Sequence, residues 1–229
     1  MNHWKCNLAV LTAIASTFVA GSLAIANEKA DAPADEAGFV KLFNGENLDG
    51  WIGDTKGYQA VDGIILCKPG GKLFTAKEYS DFVFRFEFKL TPGANNGLGI
   101  RTPIQGDAAY VGMELQILDN TADKYKNLQP YQFHGSVYGL VPAKREFLKP
   151  VGEWNVQEVT AQGPKIQVVL NGETIVDTDL SKLEESEHTH PFSKHPGMHN
   201  KSGHIGFLGH GSVVEFRNIR IKDLSGASN

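Results

Sequence analysis

The sequence has little cysteine, no large excess of charge, no internal repeat and no long helical pattern. Its two cysteines are Cys6 and Cys67, and we expect Cys6 to be removed with a signal segment. The mature chain can then form no intramolecular disulfide, so its hydrophobic core must stabilise it, and about 190 residues are enough for that. The net charge of -4 gives no electrostatic reason to expect nucleic acid or an anionic membrane as a partner.

The N-terminal segment, residues 1–26, has the pattern of a secretory signal peptide. Lys5 supplies positive charge, "LAVLTAIASTFVAGSLAIA" is an apolar run, and a small-residue A-x-A site ends at Ala26. A membrane anchor is the alternative reading, but the run is rich in Ala, Ser and Thr. We therefore expect a secreted or periplasmic protein with no stable membrane span after cleavage. Residues 27–38 are polar and acidic, which favours a flexible leader.

From residue 39 onward the apolar residues recur with a period of two, which is typical of β-strands. In "FVFRFEFKL", residues 82–90, phenylalanines alternate with mostly charged residues, which predicts a half-buried antiparallel strand. Asn171-Gly172 predicts a tight hairpin turn, and a change of parity near Arg217-Asn218 predicts a β-bulge. Many short strands with frequent turns predict an all-β jelly-roll sandwich of two antiparallel sheets over residues 39–224, followed by a tail at 225–229.

The segment "YVGMELQILDN", residues 110–120, combines an apolar face with two polar residues in the middle of a strand. The apolar face carries Val111, Met113, Leu115 and Ile117. Glu114 and Gln116 fall on the opposite face, because side chains alternate along a strand. One interpretation is an ordinary solvated face, and the other is a ligand-binding face on the concave outside of a sheet.

Residue types that bind sugars occur near this segment in the chain. Amides, carboxylates and Arg hydrogen-bond sugar hydroxyls, and Trp and Tyr stack on the apolar face of a pyranose ring. The candidate binding residues are Asn96, Arg101, Gln116, Tyr138, Lys144 and Trp154. An ordinary glycosidase needs two carboxyl groups roughly 5.5 Å apart or wider. Gln116 cannot ionise and Asp119 falls on the other face, so a second carboxylate must come from elsewhere, such as Glu87 or Glu153.

Six segments in order carry a resemblance to a known family. They are "FVKLFNGENLDGW", "FVFRFEFKLTPGANNGLGIR", "GMELQILDN", "SVYGLVPA", "GEWNVQEVTAQGPKIQVVLNGETIVD" and "SGHIGFLGHGSVVEFRNIRIKDL". Together they resemble the bacterial 3-keto-disaccharide hydrolase domain family over residues 38–224. The resemblance implies a concanavalin A-like jelly roll with a concave ligand face. It also implies cleavage of glycosides that carry a ketone at C3, by a protein that is secreted or periplasmic.

Such a substrate needs one base, a stabiliser for the enolate oxygen and an acid for the leaving oxygen. Glu114 or His134 is the candidate base. His210 or Tyr138 is the candidate acid. The stabiliser is Arg101, Lys144 or a bound divalent metal ion.

Two further features leave alternatives open. The histidine-rich tract "EHTHPFSKHPGMHNKSGH" is either a metal-binding segment or a solvated loop, and its spacing matches no known metal-site class. Cys67, after an apolar run, is expected to be a core residue rather than a nucleophile. A non-catalytic lectin-like carbohydrate-binding module is the alternative to an enzyme, and a structural domain of a surface complex is the second.

Overall fold

The computed structural model of the protein describes residue 1 and residues 36–226. The predicted signal segment, apart from residue 1, and most of the predicted leader lie outside the described residues. Among those residues no helix has the length and apolar composition needed to cross a membrane.

Strands dominate the described part of the chain. They are β1 (Val40–Lys41), β2 (Trp51–Gly53), β3 (Tyr58–Val61), β4 (Ile64–Cys67), β5 (Lys72–Thr75), β6 (Phe82–Leu90), β7 (Asn95–Thr102), β8 (Met113–Leu118), β9 (Trp154–Gln162), β10 (Lys165–Leu170), β11 (Glu173–Asp179), β12 (His204–Gly209) and β13 (Val214–Asp223). A one-turn α-helix, α1, spans Ala108–Val111. Short 3-10 turns cover Asp123–Tyr125, Pro130–Gln132, Leu180–Lys182, Phe192–Lys194 and Pro196–His199.

The strands form two antiparallel sheets. The large sheet has the order β11-β10-β9-β6-β13-β4-β3, with β1 paired to β13, and the small sheet has the order β2-β5-β12-β7-β8. Each described ladder is antiparallel, as in the pairing of β6 with β13 and of β7 with β8. The predicted sandwich of two antiparallel sheets is therefore confirmed.

Aromatic side chains fill the space between the two sheets. The phenylalanines of β6 are completely buried, whereas the residues between them are half-buried, as the alternating pattern predicts. Phe86 of the large sheet packs against Phe207 of the small sheet with ring centroids 5.8 Å apart. Phe207 in turn stacks on Phe216 at 3.8 Å. These contacts fix the faces that the two sheets turn toward each other.

Local irregularities follow the sequence signals. Asn171 and Gly172 both have positive φ and connect β10 to β11. The register of β13 shifts between Arg217 and Arg220, where Asn218 has a φ of 52°. The predicted hairpin turn and the predicted bulge are thus both confirmed.

The strand predicted over residues 110–120 is shorter than expected. β8 begins at Met113, and Val111 ends the helix α1 instead of extending the apolar face. The helix forms because the side chain of Asp107 accepts a hydrogen bond from the Ala109 N–H and so caps the first turn. The core face of β8 is otherwise as predicted, with Leu115 completely buried.

Phe86→Ala should lower the free energy of unfolding by about 3–5 kcal/mol, because it removes a completely buried ring and leaves a cavity between the sheets. Val83→Ala, on the half-buried face of the same strand, is the control and should cost clearly less. Urea unfolding of both variants measures the difference. Equal losses would contradict the assignment of the core face of β6.

Candidate functional site

A cavity of about 290 Å³ lies on the outer face of the small sheet. Asn95 of β7 and Glu114 and Gln116 of β8 form its floor, because their side chains point away from the core face of these strands. Tyr110 and Tyr138 contribute from flanking segments. The outer face around the middle of β8, where a ligand-binding face is expected, is therefore concave.

Glu114 is buried at the floor of this cavity and is only 4% exposed. Its side chain lies over Gly97 of the neighbouring strand, where a Cβ atom would overlap the carboxylate. Its Oε1 atom is 3.3 Å from Nε2 of His210, which follows β12. Because burial removes water from a carboxylate, such a group needs a hydrogen-bonding or charged partner, and His210 provides one.

His210 is the exposed member of this pair, with 46% of its side chain accessible. The hydrogen bond to Glu114 raises the pKa of His210 above its ordinary value of 6.5, although burial opposes the rise, and the charges of Glu114 and Asp107 add to it. The imidazole therefore retains its proton to higher pH than an isolated histidine. The pair places a carboxylate next to an imidazolium that can donate a proton near neutral pH.

Two amides lie beside this pair on the cavity floor. Gln116 Nε2 donates a hydrogen bond to Asn95 Oδ1 at 2.9 Å. This bond fixes the two carboxamides relative to each other. Amides present both donors and acceptors, so they suit hydroxyl and carbonyl groups of a sugar.

Tyr138 reaches the cavity from a segment that runs along the free edge of β8. Its backbone N–H donates to the Glu114 carbonyl at 2.9 Å, and Gln116 N–H donates to Ser136 O at 3.0 Å. Gln132 Nε2 donates to the Tyr138 hydroxyl at 3.3 Å. Among the residues predicted from sequence, the cavity thus brings together Glu114, Gln116, Tyr138 and His210.

The structure places His134 and Asn96 between the sheets instead of at the cavity. The His134 ring lies 5.0 Å from Phe88, and its Nδ1 accepts a hydrogen bond from the Leu118 N–H. Burial lowers the pKa of His134 to about 3, so it is neutral and a poor base. Asn96 is completely buried and points at Cys67. Neither residue is retained as a candidate site residue.

Arg101 is also excluded from the site, because its charge is used inside the fold. The residue is 2% exposed, and its guanidinium makes an ion pair with Asp81 at 2.9 Å. It also donates to Ser80 O and Gly163 O, both at 2.7 Å. Its role is to join the loops near β6, β7 and β9, so it does not serve as the enolate stabiliser considered above.

Trp154 and Lys144 lie away from the cavity as well. Trp154 is on the outer face of the large sheet, where Arg217 lies 3.9 Å and Lys89 4.9 Å from its ring centroid. Its stacking face is therefore occupied by cations. Lys144 is on an exposed loop whose backbone N–H bonds Ile175 O, and it is not among the residues that line the cavity.

The cavity also contains residues that the sequence prediction missed. They are Asn95, Asp107, Ala109, Tyr110, Leu118, Tyr125, Leu128 and Gln132. The alternation of side chains along β7 could have identified Asn95. Leu98 and Ile100 face the core, and Asn96 shares their face. Asn95 therefore faces outward. No comparable signal marks Tyr110 or Gln132, which lie in short helical turns between strands.

The histidine-rich tract does not assemble a metal site in the described residues. His188 is exposed beside Glu187, whereas His190 and His195 approach each other with Nδ1 and Nε2 3.2 Å apart. Within residues 36–226, no group of three or more His, Cys, Asp or Glu side chains is arranged to hold a metal ion. Cys67 is a buried free thiol, as predicted for a core residue.

Known proteins share the sequence pattern and the fold of this chain. A family model described as 3-keto-alpha-glucoside-1,2-lyase-like domain matches residues 38–222. A curated relative from Bacteroides thetaiotaomicron, named 3-keto-disaccharide hydrolase, is 27% identical in an alignment that covers 84% of this chain and 80% of the relative.

Solved structures extend the comparison. A protein from Parabacteroides distasonis, assigned provisionally to the glycosyl hydrolases, is 30% identical with a TM-score of 0.71, covering 81% of this chain and 99% of its own. The luminal domain of VIP36 bound to Ca²⁺ and Man3GlcNAc is 11% identical with a TM-score of 0.50, covering 85% of this chain and 92% of its own. The latter similarity concerns the fold alone.

The pKa of His210 should lie above 6.5 in the native protein and should fall in the Glu114→Gln variant. The reason is that the variant weakens the hydrogen bond to residue 114, which is the largest cause of the raised pKa, and also removes the negative charge that favours the imidazolium. An NMR titration of the His210 ring protons measures both values. An unchanged pKa in the variant would show that Glu114 does not control the protonation of His210.

Gly97→Ala should displace the Glu114 carboxylate, because the added methyl group occupies its position. The same titration should then show a His210 pKa closer to 6.5. The fold should be retained, because the flexible side chain of Glu114 can move away from the added methyl group. Gly99→Ala is the control on the same strand, because the atoms nearest to a Cβ there belong to Thr102 and Leu208, at 3.2–3.3 Å, whereas a Cβ at Gly97 overlaps the Glu114 carboxylate. If both variants leave His210 unchanged, Gly97 does not position Glu114.

Proposed function

The chain belongs to the 3-keto-alpha-glucoside-1,2-lyase-like domain family, and we propose that it is a carbohydrate-acting hydrolase whose substrates are glycosides oxidised to a ketone at C3. The name of the curated relative supports this substrate class. The observation that carries the proposal is the buried Glu114 beside His210 on the floor of a cavity lined by amides and phenols.

A ketone at C3 reduces the number of catalytic groups that the protein must supply, because it makes the hydrogen at C2 of the sugar acidic. Glu114 removes that proton, and the electron pair of the C2–H bond forms an enolate. The enolate collapses to an enone as the bond from C1 to the leaving oxygen breaks, and His210 donates a proton to that oxygen. Water then adds across the enone, with hydroxide at C1 and a proton at C2, so the net reaction is hydrolysis.

The spacing of the two groups suits this sequence of steps. The base and the acid act on adjacent carbons, so a carboxylate and an imidazole 3.3 Å apart can serve both from one side of the ring. A conventional retaining glycosidase instead separates its carboxyl groups by roughly 5.5 Å across the bond. Asp107 is a second carboxylate at the cavity, but it is exposed and its Oδ1 caps α1 by accepting from Ala109 N–H.

The enolate oxygen requires donors, and the amides of Gln116 and Asn95 are the candidates for that role. Both line the cavity, and their mutual hydrogen bond holds them in place before substrate arrives. Preorganised donors of this kind stabilise developing charge without having to reorient. Tyr138, which lies on the segment beside the free edge of β8 and whose N–H bonds Glu114 O, is the alternative proton donor for the leaving oxygen.

The direct test compares methyl 3-keto-glucoside with unoxidised methyl glucoside, each with and without a chelator. Release of methanol from the 3-keto compound alone is the expected result. Turnover of both compounds would indicate an ordinary glycosidase, with Asp107 as the second carboxylate. Binding without turnover would indicate a lectin-like module, and loss of turnover on chelation would indicate a metal-dependent stabiliser.

Glu114→Gln should reduce turnover of the 3-keto compound by about 10²–10⁴-fold, because a positioned base contributes about that much. Glu153→Gln is the matched control, since Glu153 is exposed and lies outside the cavity. Steady-state kinetics of both variants provide the measurement. Full turnover in Glu114→Gln would show that Glu114 is not the base.

A further inference from the structure

Two histidines of the tract before β12 pack against the cavity, although the proposed chemistry does not use them. His195 is 1% exposed, and His190 is half-buried. Their rings stack at a centroid distance of 5.4 Å, with His190 Nδ1 3.2 Å from His195 Nε2. Burial lowers the pKa of both residues. We refer to His190 and His195 as the histidine brace.

The histidine brace contacts tyrosines from two separate segments of the chain. Tyr110, on α1, has its ring centroid 5.0 Å from that of His195 and 6.3 Å from that of His190. The ring centroid of Tyr138, on the segment beside β8, lies 5.7 Å from that of His190. Both tyrosines line the cavity that contains Glu114. The brace therefore adds a side-chain connection between two segments that each flank β8.

Hydrogen bonds hold the segment that carries the brace against the backbone next to both tyrosines. His190 N–H donates to Gly139 O at 2.8 Å, next to Tyr138. Gly139 has positive φ, and a Cβ there would lie 2.5 Å from His195 Nε2, so the close approach requires glycine. Near α1, Asn200 Nδ2 donates to Val111 O at 2.8 Å, next to Tyr110. The segment between residues 190 and 200 thus contacts the backbone beside both tyrosines.

We infer that the histidine brace positions Tyr110 and Tyr138 as one aromatic wall that receives the apolar face of the sugar ring and holds the ring over Glu114. Aromatic rings with a polar edge suit a ligand that has one apolar face and hydroxyl groups at its rim. This inference rests on the proposed function for the identity of the ligand. It assigns His190 and His195 as positioning residues that act through the tyrosines.

The test uses apparent affinity for methyl 3-keto-glucoside, measured as KM if the protein turns it over and as Kd by calorimetry if it does not. Tyr110→Ala should weaken affinity about tenfold, and Tyr110→Phe should recover most of that loss. His190→Ala should weaken affinity by a similar factor. The double variant His190→Ala/Tyr110→Ala should be little weaker than either single variant, because both changes disrupt the same wall.

His188→Ala is the matched control, since His188 is exposed in the same tract and contacts Glu187 instead of the tyrosines. It should leave affinity and thermal stability unchanged. If His190→Ala fails to fold, His190→Gln replaces it, because Gln retains a hydrogen-bonding group of similar length. The inference would be overturned by a His190 variant that loses stability but keeps its affinity for the sugar, or by additive losses of affinity in the double variant. It would also be overturned if the wild-type protein binds no sugar. Binding without turnover would overturn only the proposed function.

Discussion

The candidate site depends on the burial of one carboxylate. Withdrawing Glu114 from water is unfavourable unless other groups replace the lost hydration. His210, just beyond β12, provides a partner for the carboxylate. Gly97 on β7 has no side chain and so leaves room for it. A larger residue at position 97 would leave no room for the carboxylate, and without His210 its buried charge would lose its partner. The contact between Glu114 and His210 is therefore a consequence of three adjacent strands in one sheet.

The rest of the site is built around that pair. The core faces of both sheets are filled mainly by phenylalanines and aliphatic residues, and Asn95 of β7 and Glu114 and Gln116 of β8 are directed outward into the cavity. Segments between the strands then enclose the polar face, with Tyr110 before β8 and Tyr138 after it. A sheet supplies the rigid floor and the connections supply the walls, which is the usual division of roles between scaffold and loops.

Sequence alternation predicted the elements whose pattern is local. The strand at residues 82–90, the turn at Asn171-Gly172 and the bulge near Asn218 depend on neighbouring residues, and each was confirmed. Glu114 and Gln116 were placed on the outer face by the same reasoning. His134 and Arg101 could not be placed in this way, because their positions depend on where a loop folds back and on which distant partner pairs with the charge. Asp81, which neutralises Arg101, is separated from it by 20 residues of sequence.

The account makes one central chemical claim, that the C2–H bond of the sugar breaks during cleavage. The most direct measurement is the reaction of methyl 3-keto-glucoside in D₂O, with NMR of the released sugar at early times and free 3-keto-glucose incubated alone as the control for spontaneous exchange. The account predicts deuterium at C2 of the product, beyond the control. A product that keeps hydrogen at C2 would contradict it, because water would then have displaced the group at C1 without any proton transfer to Glu114.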